Sequence, residues 1–304
     1  MKTKDNLNII KTCLPFSLRA AVDNIPQSAQ EIRLLVNRPV VVRACNKLYY
    51  IDNNLRLTED FSDNLLILTQ PEVGEAFSAI CSYSVYSKQN EIINGFVTLK
   101  GGNRAGICGT AVISDGRIIN IRDITSINIR LACEIPDCSD KVLNIINDIS
   151  GGVLLCGPPC SGKTTILRDI ARKISQKYRT ALIDTRGEIA AVYGGVPQND
   201  VGMSDVLNMY SKNDGFEHAV RCLSPEIIIC DELSGEDDAV SVLTAQKSGV
   251  TVLASAHCRD EKELLSRPLL RTLVQTDCFK TVVFLGAGEN VGQVTKVKHI
   301  DELL

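Results

Sequence analysis

The chain has 304 residues, 44% of them hydrophobic, and a formal net charge of −3, enough length for two domains with substantial cores. That mild acidity excludes bulk electrostatic binding to nucleic acid and leaves only a local basic patch as a route to it. No apolar run approaches the roughly 18 residues of a membrane span, and the opening MKTKDNLNII lacks a signal-peptide core. The chain therefore reads as soluble, with any membrane role passing through a partner or the membrane surface. Twelve cysteines are present, yet no C-x-x-C occurs and only three histidines could join them as ligands. This pattern points to reduced, metal-free cytosolic thiols, with Cys156 and Cys230 acting as small hydrophobes in buried strands.

In chain order, residues 7–22 suit an amphipathic helix that Pro15 can break in two. Residues 31–36 and 40–44 read as strands about an Asn37-Arg38-Pro39 turn, and 48–51 extends them into a small sheet. Pro71 fits the first turn of a helix to about Ser82, and a second helix runs from Ser87 to a stop at Asn94-Gly95. The segments 96–100, 105–112 and 118–121, with turns at Gly101-Gly102-Asn103 and Asp115-Gly116, form a β-meander punctuated by Arg104, Arg117, Arg122 and Arg130. Residues 133–137 look like a linker before a helix over 139–149. The expected organisation is α/β: an N-terminal α+β domain over 1–138, then a domain over 139–304 whose alternating strands and helices imply a mainly parallel sheet.

Residues 151–165, GGVLLCGPPCSGKTT, hold the strongest signal. An apolar strand at 153–156 leads into Gly157, Pro158, Pro159, Cys160, Ser161, Gly162, Lys163 and Thr164, which fit G-x-x-x-x-G-K-[ST]. Thr165 then continues a helix. Glycines let backbone N–H groups face phosphates, and the helix dipole adds positive potential. Lys163 would reach the terminal phosphates and Thr164 would offer its hydroxyl to Mg²⁺, so the loop is expected to bind a nucleoside triphosphate.

Three further strand ends carry polar groups. Strand 226–231 ends in Asp231 and Glu232 and is expected beside the strand that feeds the loop, with Asp231 serving Mg²⁺ and Glu232 the attacking water. Strand 179–184 leads to Asp184 and Glu188, which ought to face the same cleft, Asp184 as a metal candidate and Glu188 as a catalytic one; helix capping and solvation are the plain alternatives for this pair. Strand 250–256 places His257 where it could contact the terminal phosphate. Arg221 precedes the Asp-Glu strand and is a candidate phosphate sensor. Strands 279–285 and 293–299 finish the sheet as an edge hairpin. Lys163 and Mg²⁺ neutralise the γ-phosphate only in part, and an inserted arginine is worth about 10³–10⁵ in rate. Arg104 and Arg130 are therefore candidates to approach from the first domain or from a neighbouring subunit.

These boxes occur in the order found in the type II/type IV secretion ATPases, a RecA-like branch. Residues 82–87 (SYSVYS), 94–98, 101–106 (GGNRAG), 120–124 (NIRDI), 215–225, 231–235 and 267–270 further resemble the stage III sporulation protein AA family over roughly 7–300. The resemblance implies a cytosolic, mother-cell ATPase with ATP and Mg²⁺ as cofactors, a homohexamer docked on small membrane proteins of a channel to the forespore. It implies neither membrane insertion nor a nucleic-acid partner. Asn103, Thr185 and Gly187 depart from the family pattern, as does the lack of an arginine in 131–134. Two other readings compete: a nucleic-acid-dependent RecA-like translocase, which sparse aromatics disfavour, and a slow, nucleotide-gated docking protein. A phosphate-loop kinase would need an acceptor pocket that the sequence does not reveal.

Overall fold

Two separate cores account for the chain, which the computed structural model describes over residues 3–45, 47–146, 149–276 and 278–302. One unit comprises Met1–Glu134 with Ala191–Gln198, the other Ile135–Ala190 with Asn199–Leu304. No helix among the described residues is long and apolar enough to cross a membrane.

In the first unit, helix α1 (Thr3–Lys11) stops before Pro15, and the chain resumes as a 3₁₀ helix over Phe16–Asn24. Proline has no N–H to continue the ladder, which explains the split. Strands β1 (Ala29–Leu35), β2 (Val41–Ala44), β3 (Lys47–Ile51) and the short β4 (Leu57–Thr58) form an antiparallel run. Helix α2 (Gln70–Ile80) carries Pro71 in its first turn, where Glu72 accepts the Thr69 N–H at 2.7 Å. After α3 (Gln89–Ile93), β5 (Phe96–Thr98), β6 (Arg104–Ser114) and β7 (Arg117–Arg130) complete a sheet ordered β4-β3-β2-β1-β7-β6-β5. Strand β7 runs nine residues beyond the expected end at Ile121. Its last part pairs with β1, setting Ile129 opposite Ile32 and Ile127 opposite Leu34, all four buried. Ala191–Gln198 joins this unit, Gln198 Oε1 accepting the Gly101 N–H at 2.8 Å and Tyr193 lying 5.3 Å under the Lys88 ammonium.

The second unit opens with α4 (Asp140–Ile146), β8 (Val153–Gly157), α5 (Lys163–Ile174) and β9 (Thr180–Asp184). It continues through β10 (Asp205–Asn208), α6 (Lys212–His218), a π-helical turn at Ala219–Leu223, β11 (Ile227–Cys230), α7 (Glu236–Lys247) and β12 (Thr251–His257). Helices α8 (Glu261–Ser266) and α9 (Pro268–Gln275) precede β13 (Thr281–Leu285) and β14 (Val294–His299). The sheet order is β10-β9-β11-β12-β8-β13-β14, parallel throughout except for the antiparallel β14. All residues of β8, β9, β11 and β13 are buried, which is why they read as continuous apolar runs rather than alternating ones. The architecture is thus α/β, with a mainly parallel second unit and a smaller α+β first unit.

One expectation about this sheet is corrected. Strand β11 is not the neighbour of β8, because β12 lies between them, its Leu253–His257 in register with Val153–Gly157. The edges of β8 are taken by β12 and β13, and this interposition sets His257 directly across from Gly157.

Candidate active site

The carboxyl ends of the parallel strands open into a cavity of about 440 Å³ whose lining includes Pro159, Cys160, Ser161, Gly162, Lys163, Thr164 and Thr165. It also includes Arg186, Glu188, Asp231, Glu232, Ser255, His257 and Val291. This is where ligands bind in open α/β sheets. The loop depends on two glycines. Gly162 has φ +91°, a left-handed value an L side chain rarely adopts, and a Cβ on Gly157 would meet Ser161 Oγ at 2.5 Å. The rim is fastened by the loop before β14, since the Gly292 N–H donates to Ser161 O at 3.0 Å. Gly162 caps α5, whose first residues are Lys163, Thr164 and Thr165, so the positive end of that helix faces the cavity.

Lys163 is only 6% exposed. Its ammonium donates to Gly157 O and Pro158 O, both at 2.8 Å, and to His257 Nδ1 at 3.1 Å. Burial holds its pKa below the usual lysine range, against the raising pull of Glu232. An ammonium can only donate, so His257 Nδ1 accepts and its Nε2 carries the proton. That Nε2 lies 3.3 Å from Glu232 Oε1, and Glu232 Oε2 lies 3.2 Å from Arg186 Nη1. Lys163, His257, Glu232 and Arg186 therefore form one continuous polar chain across the cleft.

Asp231 is 5% exposed, and its Oδ1 accepts the Thr185 hydroxyl at 3.0 Å. Burial first, then the nearby negative charge of Asp184, raise its pKa to about 7, opposed by Lys212 and the Thr185 bond. Lys212 also donates to the Glu232 carbonyl and, at 3.1 Å, to Asp238. Asp184 is the other acid at a strand end. It is fully buried, and its oxygens accept backbone N–H groups of Glu188, Ile189 and Ala190 at 2.9–3.2 Å. Both oxygens being engaged this way, Asp184 shapes the loop after β9. Burial raises its pKa while those N–H bonds lower it. Arg168 clamps the same loop from α5 through Ile189 O at 2.8 Å and Glu188 O at 2.7 Å, and Asn199 adds a bond to Ile189 O at 2.8 Å. Three anchoring side chains, Asp184, Arg168 and Asn199, thus present Glu188 to the cavity.

The structure brings together the loop residues, Glu188, Asp231, Glu232 and His257. Arg221 stands apart: it is 74% exposed, pairs with Glu217 at 2.5 Å, and lines a second cavity beside α6 and α7. Arg104 and Arg130 belong to β6 and β7 of the first unit, where the Arg104 guanidinium stacks 3.4 Å over Phe96. Sequence reading missed Arg186, Thr185, Arg168 and Asn199 as parts of the site. The first two follow directly on Asp184, so adjacency to that acid was the available signal; Arg168 and Asn199 offered none.

The donors fit Mg²⁺. The Thr164 hydroxyl and the Asp231, Glu188 and Glu232 carboxylates are all hard oxygen ligands, and a buried carboxyl held near pH 7 regains a favourable partner in a dication. Among the described residues no three His, Cys, Asp or Glu side chains form a ready cage. That suits a metal held by one or two protein oxygens together with phosphates.

Comparison with known proteins follows the same lines. The family profile described as Sporulation stage III, protein AA matches residues 2–301. Stage III sporulation protein AA of Bacillus subtilis (strain 168) is 33% identical over 308 residues, covering 97% of this chain and 96% of that protein. The fold is similar to that of the pilus retraction motor PilT with bound ADP (TM-score 0.58, 20% identity, 91% of this chain and 77% of that one). It is also similar to the Legionella pneumophila ATPase DotB (TM-score 0.54, 14% identity, 90% and 78%).

Proposed function

The chain belongs to the Sporulation stage III, protein AA family, and from that premise we propose that it is a Mg²⁺-dependent ATPase of the secretion-motor type. The observation that carries this reading is the convergence of Lys163, Thr164, Asp231, Glu232 and His257 on one cavity under a glycine loop at a helix start. The loop N–H groups and Lys163 bind the β- and γ-phosphates, and Lys163 exchanges its carbonyl partners for phosphate oxygens as it does so. Thr164 and Asp231 hold Mg²⁺, which when bound neutralises phosphate charge and fixes the phosphate oxygens in place. Glu232 accepts a proton from the attacking water, while His257 couples the position of Lys163 to that of Glu232. Glu188, presented by its clamped loop, completes the polar wall.

In this reading the protein works as a cytosolic homohexamer on the mother-cell side of the septum. Its first unit, expected over 1–138, serves oligomerisation and docking to small membrane proteins, and ATP turnover drives or assembles a channel to the forespore. Arg104 and Arg130 are the candidates to reach a nucleotide held by a neighbouring subunit, and Arg221 is a candidate phosphate sensor. The test is ATPase rate per subunit against protein concentration, with molar mass measured in parallel. A rate that climbs as rings form supports shared catalysis. Turnover that is absent at every concentration refutes the motor reading.

A further inference from the structure

Arg186 is the member of the polar chain that the ATP reading leaves without a task. Its guanidinium lines the same cavity as Lys163 and Thr164 and makes its ion pair with Glu232, at 3.2 Å. The residues on either side of it are held. Thr185 is bonded to Asp231, and the Gly187 and Glu188 N–H groups are bonded to Asp184. The side chain, in contrast, is 60% exposed. An ion pair that open to water is weak. A terminal phosphate offers a guanidinium two acceptor oxygens and more than one negative charge, a better partner than a single carboxylate oxygen. A triphosphate arriving beside Glu232 also brings like charge against it, and the cation that relieves both is Arg186.

We propose that Arg186 reads the γ-phosphate: it restrains Glu232 in the conformation described here and transfers to the terminal phosphate when ATP enters. Glu232 is then released toward water by a triphosphate and not by a diphosphate, which lacks the group that would draw Arg186 away. With its neighbours anchored in this way, the transfer is a side-chain exchange within a held loop. The remaining tie of Glu232, to His257, loosens at the same moment, since Lys163 leaves His257 Nδ1 for the phosphates. Both restraints on Glu232 thus answer to one ligand. The proposal rests on the ATP reading, and its test separates the two.

The affinities of the full chain for Mg²⁺·ADP and for a Mg²⁺·β,γ-imido ATP analogue are measured by calorimetry for wild type, Arg186→Gln, Arg186→Lys, Glu232→Gln and the Arg186→Gln/Glu232→Gln double variant. Loss of one charged contact to the γ-phosphate weakens the analogue about ten-fold in Arg186→Gln and leaves ADP affinity unchanged. Arg186→Lys restores part of that loss. Glu232→Gln frees Arg186 and tightens the analogue several-fold, and this gain disappears in the double variant. The proposal is overturned if Arg186→Gln weakens ADP and analogue alike, which would be a general field effect, or if it changes neither. It is equally overturned if the Glu232→Gln gain survives without Arg186, since relief of charge repulsion would then explain it. A wild type that binds neither nucleotide overturns the ATP reading itself, and this inference with it.

Discussion

Replacing Asp231 by asparagine is expected to stabilise the ligand-free protein while removing the proton release that accompanies Mg²⁺·ATP binding. The carboxyl is 5% exposed, and burial together with the charge of Asp184 raises its pKa from 3.8 to about 7. At about 1.4 kcal/mol per pH unit, that rise puts the cost of a fully charged Asp231 at about 4 kcal/mol. The sign follows from proton uptake. Between pH 3.8 and about 7 the folded protein holds a proton that the unfolded chain has lost. Stability therefore falls as pH rises through this window, and the loss is complete above it. Asparagine keeps an oxygen for the Thr185 hydroxyl and carries no charge. If half the penalty is realised, the variant gains about 2 kcal/mol at pH 8, or about 4–8 °C in Tm for a domain of this size. Melting curves from pH 5 to 8 check this, with the two proteins converging at the acid end. Wild type at pH 6 should also release close to one proton more than the variant on binding Mg²⁺·ATP, seen by calorimetry in buffers of different ionisation enthalpy. Parallel pH profiles for the two proteins would refute the reasoning, since Asp231 would then carry its charge at no cost.

Lys163→Ala should weaken ATP binding by about two orders of magnitude, the value of a charge-assisted contact of about 3 kcal/mol, checked by competition with a fluorescent nucleotide. Asp184→Ala strands the N–H groups of Glu188, Ile189 and Ala190 and should cost about 3 kcal/mol in urea unfolding, with a loss of activity through the misplaced loop. Gly162→Ala forces a side chain to φ +91° at a cost of about 1–2 kcal/mol, so nucleotide affinity should fall while the melt shifts by only a few degrees. Glu232→Gln should keep ADP binding unchanged, tighten the triphosphate analogue as set out above, and slow hydrolysis about 10²–10⁴-fold in a phosphate-release assay. Unimpaired turnover there would shift the water-orienting role to Glu188.

Much of this site is legible in sequence because its grammar is local. The run from Val153 to Thr165 contains strand, turn and helix start in one stretch, and an apolar strand ending in Asp231-Glu232 announces itself without reference to its neighbours. What could not be read depends on partners far along the chain. Whether β11 or β12 lies beside β8 is a matter of sheet order, which the apolar runs of buried parallel strands do not encode. Asp184 and Asp231 look alike as acids at strand ends. They differ because three N–H groups of the following turn converge on the first and none of them on the second. β10 is four residues long at the sheet edge, too short for its pattern to stand out. Asn103, a departure from the family pattern, is fully buried, bonding Lys100 O and the Ala132 N–H, a task visible only once β6 and β7 are paired. The return of Ala191–Gln198 to the first unit likewise rests on Gly101 and Lys88, about a hundred residues upstream.

The position of β8 between β12 and β13 has a consequence for biosynthesis. During translation the strand that carries the proposed phosphate loop emerges about a hundred residues or more before its flanking strands, and Gly292, which fastens the loop rim, comes later still. A nascent chain on the ribosome consequently exposes the loop sequence long before it can close on a nucleotide. The loop gains its flanking strands and its rim contact only after the chain through Gly292 has been made.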